Sequence, residues 1–172
     1  TYVGAFRTST GAALNLFSSG LGTQRFLAPA GAGLTEAFGQ IVVYSGTVSM
    51  GGMPSLGASS IVIDPKGVFQ VEGTNDVNFP LSLVGGGLLN LTTTGTVSLN
   101  AAAGNFGGAI ANSAGTLRVV NNSALGGTGS DVTISSGATL DVFGNNANLN
   151  KQFVVSGAGI GGLGAIINSA IT

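Results

Sequence analysis

The chain has 172 residues, of which 31 are glycine; five Lys+Arg against six Asp+Glu leave a net charge of -1 and only 6% charged residues. Five scattered cations cannot build the basic patch that neutralises phosphates, so nucleic acid is excluded as a partner. Without histidine or cysteine, disulfide frameworks and thiolate metal sites fall away and most catalytic chemistries are short of raw material. With 44% hydrophobic residues the chain can still bury a core, unlike a charge-rich disordered segment.

In chain order the signals are for strands. The sequence begins at Thr1 with no signal-peptide pattern and reads as processed or excised. Its first apolar run, Thr1 to Phe6, carries Tyr2, Val3 and Phe6 with no acidic or lysine gatekeeper. Val48-Ser49-Met50, Ile61-Val62-Ile63, Val97-Ser98-Leu99, Thr116-Leu117-Arg118-Val119, Val132-Thr133-Ile134 and Thr139-Leu140-Asp141-Val142 then alternate apolar and other side chains, which predicts one buried face each. The last run, Gly164 to Thr172, brings Ile166, Ile167 and Ile171. No long segment keeps apolar residues at helical spacing, and recurrent glycine would cost a helix interior about 1 kcal/mol each time. The uncharged interval from Val77 to Leu117 is too often broken by glycine, asparagine, threonine and Pro80 to be a transmembrane helix.

Internal repetition is the strongest feature. Gly46 to Gly57 aligns with Gly115 to Gly126, and Ile61 to Val71 with Val132 to Val142, a long unit of about 69 residues. Within it, glycine-led strands at Gly95, Gly115 and Gly137 recur roughly every 20 to 22 residues. Such a period with two or three short strands is one coil of a β-solenoid, whose coils stack at about 4.8 Å. The reading is all-β, a right-handed parallel β-helix of roughly eight coils with little or no helix, about 40 Å long. Residues 1–172 form one solenoid domain with degenerate repeats at about 27–75, 80–144 and 153–172. A β-sandwich is the competitor, but sandwiches do not normally repeat their strands at a fixed period.

The stretch Gly95-Thr96-Val97-Ser98-Leu99-Asn100, Asn105-Phe106-Gly107-Gly108, Ala114 to Val119, Ser123-Ala124-Leu125-Gly126 and Ser136 to Val142 resembles the autotransporter-associated β-strand repeat of bacterial passenger domains. The preceding Leu83-Val84-Gly85-Gly86-Gly87-Leu88 is similar to that family's linking segment. The resemblance covers about a third of the chain well. It implies a right-handed parallel β-helix, secreted or at a bacterial cell surface, and implies no particular activity.

Candidate sites are few. Gly157-Ala158-Gly159-Ile160-Gly161-Gly162 follows a strand and satisfies G-x-G-x-x-G, but neither a helix nor an acidic residue follows, so a solenoid corner is expected instead of a dinucleotide site. Glu72 and Asp76 flank a loop that could hold calcium, yet two carboxylates are few and a solvated turn is expected. Asp141, between Leu140 and Val142, is placed on the outer face, and stacking could bring it or Asp131 to Arg118 as a surface pair. The Thr92-Thr93-Thr94 triplet raises ice binding but does not recur at the coil period. The nine phenylalanines are expected to stack in the core between coils. No catalytic residue, cofactor or metal is expected.

Uncapped apolar ends should pair. The expected function is therefore structural: a secreted or surface fibre subunit joined head to tail through Tyr2, Val3, Phe6, Ile166, Ile167 and Ile171, or continuous with neighbouring coils of a longer chain. The alternatives are an adhesin gripping a glycan and, behind it, a polysaccharide-active enzyme.

Overall fold

In the computed structural model, which describes residues 2–3, 14–27, 38–52, 60–144 and 151–170, alternation of apolar and polar side chains has produced strands throughout. They are β1 (Tyr2–Val3), β2 (Leu14–Ser18), β3 (Thr23–Leu27), β4 (Phe38–Gly51), β5 (Ser60–Glu72), β6 (Val77–Phe79), β7 (Ser82–Gly85), β8 (Leu88–Leu91), β9 (Thr96–Leu99), β10 (Ala109–Asn112), β11 (Thr116–Val119), β12 (Val132–Ile134), β13 (Thr139–Asp141), β14 (Phe153–Val155) and β15 (Ile166–Ile167). A three-residue 3-10 turn, Ile160–Gly162, is the one helical element among the described residues.

Every recorded strand pair is parallel. One ladder runs β1-β3-β4-β5-β8-β10-β12-β14 and a second β6-β9-β11-β13-β15. The first ladder bends: the leading halves of β4 and β5 pair with β2 and β7, and their trailing halves with β3 and β8. The chain therefore winds through three faces per turn and returns to the same face one coil further on. That is the β-solenoid the alternation and spacing predicted.

The winding makes about six turns, slightly fewer than expected, while the first ladder stacks eight strands and the second five. Partners are 20 residues apart from Val77 to Val97, but 24 apart from Phe26 to Met50 and 26 apart from Leu140 to Ile166. The period is therefore not uniform, and the longer corners lie towards the two ends. The 69-residue alignment also resolves differently: it sets Val48, which belongs to the first ladder, against Leu117, which belongs to the second. Sequence similarity there reflects the strand-and-corner unit, since any face asks for the same alternation.

Register turns alternation into inward ranks. Val48, Phe69, Leu89, Ile110, Val132 and Phe153 lie one above another, as do Val77, Val97, Leu117, Leu140 and Ile166. Each fully buried aliphatic or aromatic side chain of this kind contributes about 1.5–3 kcal/mol of transfer free energy. Phe26, Phe69, Phe79 and Phe106 are core residues, with Phe69 and Phe79 meeting edge to face at 6.1 Å. Phe17 and Phe143 depart from that expectation and are exposed; the Phe6 side chain lies outside the described residues.

Corners bring backbones closer than a Cβ allows. Gly115 has φ +63°, and a Cβ there would lie 2.3 Å from the Gly95 carbonyl oxygen of the coil below. Gly137 has φ +84° but open space around it. Gly137→Ala should therefore cost only the left-handed backbone term, about 1–2 kcal/mol, whereas Gly115→Ala adds an overpacking term of roughly 1–3 kcal/mol. Urea midpoints of the two variants check this; equal shifts would contradict it.

Candidate functional site

The second ladder carries its outward side chains on one lateral face. The pleat of β6, β9, β11 and β13 sends Val77, Val97, Leu117 and Leu140 inward and sets Asn78, Ser98, Arg118 and Asp141 in one outer rank. Asp76, Asn78, Thr96, Ser98, Asn100, Arg118, Val120 and Phe143 line an open groove of about 510 Å³ along this rank.

At its C-terminal side the groove has a built charge centre. Arg118 Nε donates to Asp141 Oδ2 at 2.9 Å. Ser169 Oγ donates to the same oxygen at 2.6 Å, while the Ser169 and Phe143 amides each donate to Oδ1 at 3.0 Å. Asp141 occupies the outer face as its position in the strand implies, but its side chain is fully covered instead of forming a surface pair. Burial alone would raise its pKa; the bonds from Ser169, Arg118 and Phe143 outweigh it and hold the carboxyl below its ordinary value. Asp131 is not part of this centre; its charge acts on Lys151.

Phe143 closes the centre. It is the one non-glycine residue with positive φ among the described residues, at +45°. Its ring lies 4.6 Å from the Arg118 guanidinium carbon and is 37% exposed. At the other end of the groove the Asp76 carboxylate accepts from the Thr96 amide at 2.6 Å, and Asn100 Nδ2 donates to Asn78 Oδ1.

The remaining sequence candidates fall elsewhere. Glu72 is taken by Arg25, which donates through Nε and Nη2 at 2.5 and 2.9 Å, and by Ser49 Oγ at 2.8 Å; the bond to Arg25 first, and Ser49 with it, lowers its pKa against the effect of burial. Glu72 is thus part of a surface clamp between coils. Among the described residues no group of three or more His, Cys, Asp or Glu converges. Thr93 is buried, its hydroxyl donating to the Asn75 carbonyl, so the threonine triplet builds a corner. The glycine-rich 157–162 segment is likewise a turn, with Gly157, Gly159, Gly161 and Gly162 all at positive φ. No helix is long and apolar enough to cross a membrane among the described residues.

The self-association residues divide. β1, with Tyr2 and Val3, is the terminal strand of its ladder, paired to Phe26 and Leu27. β15, with Ile166 and Ile167, ends the other ladder at the opposite end. Phe6 and Ile171 lie outside the described residues. Around β15 the C-terminal coil also shows Val154, Val155, Ile160 and Leu163 to solvent.

Three polar features escaped the sequence reading. Asn112 interrupts the inward rank between Leu91 and Ile134, donating to the Thr139 and Gly115 carbonyls, while its Oδ1 has no partner among the described residues. Lys151 is buried, its Nζ donating to the Gly108 carbonyl at 2.8 Å above the Phe106 ring; burial lowers its pKa against the raising effect of Asp131. The groove itself is the third, and only the recurrence of Asn78, Ser98 and Arg118 at the coil period could have revealed it.

No family model, curated protein or solved structure matches the chain.

Because the folded pKa of both Asp141 and Glu72 is depressed, their stabilisation is present above the unfolded carboxylate range, about pH 4, and is lost as pH falls through the lower folded values. Asp141→Asn should cost roughly 1.5–3 kcal/mol at neutral pH and flatten the acid limb of the stability profile. Urea unfolding at a series of pH values measures both; an unchanged acid limb would contradict the assignment.

Proposed function

We propose that the chain is a structural β-solenoid of a bacterial surface or secreted fibre, whose C-terminal coil is the docking end for the first coil of a second copy. The observation that carries this is the fate of the inward ranks at the last coil. Leu140 is 1% exposed and its partner on the next rung, Ile166, 51%; Ile134 is 0% exposed and its partner Val155, 39%.

These residues hold core positions on which nothing among the described residues is seated, and the strands that carry them offer an edge of backbone N–H and C=O groups with no further strand paired to it among the described residues. A parallel rung placed on β14 and β15 would satisfy both at once. The fit is heterologous, C-terminal end to N-terminal end, so it does not close and gives a filament. In a longer chain the same end takes the next coil by the same contacts. The family resemblance of the 83–142 repeats supports the location, and the low charge supports a stacking role over an electrostatic one.

Sedimentation velocity and electron microscopy across a concentration series test the proposal. The wild type should elongate as concentration rises, and Ile166→Lys and Val155→Lys should remain single, because a lysine at an exposed rung keeps its hydration in the monomer but must be desolvated in the stack. Wild-type monomers persisting at millimolar concentration would overturn it.

A further inference from the structure

We propose that the lateral groove binds a linear, uncharged oligosaccharide lying parallel to the solenoid axis, with the Phe143 ring as its stacking platform. The inference is independent of end-to-end assembly, since it rests on a different face.

Three observations converge. The first is periodicity. Asn78, Ser98 and Arg118 stand on consecutive rungs, so hydrogen-bonding side chains repeat at the strand spacing of about 4.8 Å. A pyranose unit advances an extended sugar chain by a comparable distance, so each sugar meets the polar side chain of one coil. The amides of Asn78 and Asn100 and the hydroxyls of Thr96 and Ser98 both donate and accept, as sugar hydroxyls require.

The second is Phe143. A bulky residue in the left-handed region costs about 1–3 kcal/mol and persists where the surroundings impose it. Here the Asp141 carboxylate fixes the backbone through the Phe143 amide, and Arg118 lies over the ring. That arrangement holds an apolar ring in a groove where Val77 and Val120 add apolar surface and the remaining lining side chains carry hydrogen-bonding groups. An exposed ring in the same groove as the Asn78 and Asn100 amides matches the apolar face and equatorial hydroxyls of a pyranose.

The third is charge. The groove's cation, Arg118, is neutralised by Asp141, and Asp76 sits at the far end. An acidic sugar chain would find its counter-charge already spent and a carboxylate facing it, so the uncharged ligand is favoured.

Calorimetric titration and amide NMR with cellohexaose, xylohexaose and mannohexaose, and with hexagalacturonate as the acidic counterpart, test the site. Phe143→Asn removes the ring while placing a residue that tolerates positive φ, so the fold is retained. Asn100→Ala removes one rung-end amide, and Tyr44→Ala truncates an exposed aromatic away from the groove. At least one neutral hexamer should bind saturably at millimolar or lower concentration, with shifts confined to the groove. Phe143→Asn and Asn100→Ala should each weaken it about three- to tenfold, and Tyr44→Ala should leave it unchanged. No binding by any neutral hexamer, tighter binding of hexagalacturonate, or loss of binding in Tyr44→Ala but not in Phe143→Asn would overturn the proposal.

Discussion

Every coil of this molecule depends on the one beneath it through a single arrangement, the parallel ladder in which an inward side chain rests on the side chain at the same position of the preceding coil. The ladder satisfies backbone groups and buries an apolar rank at once, so neither benefit is available to an isolated coil. Leu117 is fully covered because Val97 and Leu140 flank it along the rank. Ile166 is half exposed because its rank ends there. The same geometry that covers the middle of the rod leaves the last described rung of this rank half exposed.

Polar groups inside such a stack act as locks between coils. Lys151 reaches from the entry to β14 back to the Gly108 carbonyl two rungs earlier, and Asn112 ties its coil to the Thr139 carbonyl of the next. Asp141 gathers the end of the chain, through Ser169, onto the ring and guanidinium of the groove. Each fixes a relationship that uniform aliphatic ranks would leave free to slide by one rung, which is where buried polar groups have their best-attested use.

Much of this was legible in the sequence because the solenoid asks the same thing of every strand. Alternation at Ile61 to Ile63, Val97 to Leu99 and Thr116 to Val119 gave the inward faces, and the glycines at 95 and 115 gave the corners. Corner length is invisible to strand pattern: the 26 residues from Leu140 to Ile166 complete one turn, as do the 20 from Val77 to Val97. The groove was hidden for a related reason. Asn78, Ser98 and Arg118 are unremarkable residues far apart in the chain, and only the register makes them neighbours. Asp141 was placed on the correct face, but its burial depends on Ser169 and Phe143 folding over it, which no local pattern encodes.

Hydrogen–deuterium exchange on the dilute chain addresses the ladder most directly. If coils are held by their neighbours, amides of β9 and β11, flanked on both sides, should exchange slowest, and those of β14 and β15 fastest among the strands. On concentration to assembly, β14 and β15 should gain protection while the middle strands do not change. Protection of β15 equal to that of β9 in the dilute chain would show that the last coil is not an open rung and would contradict the account.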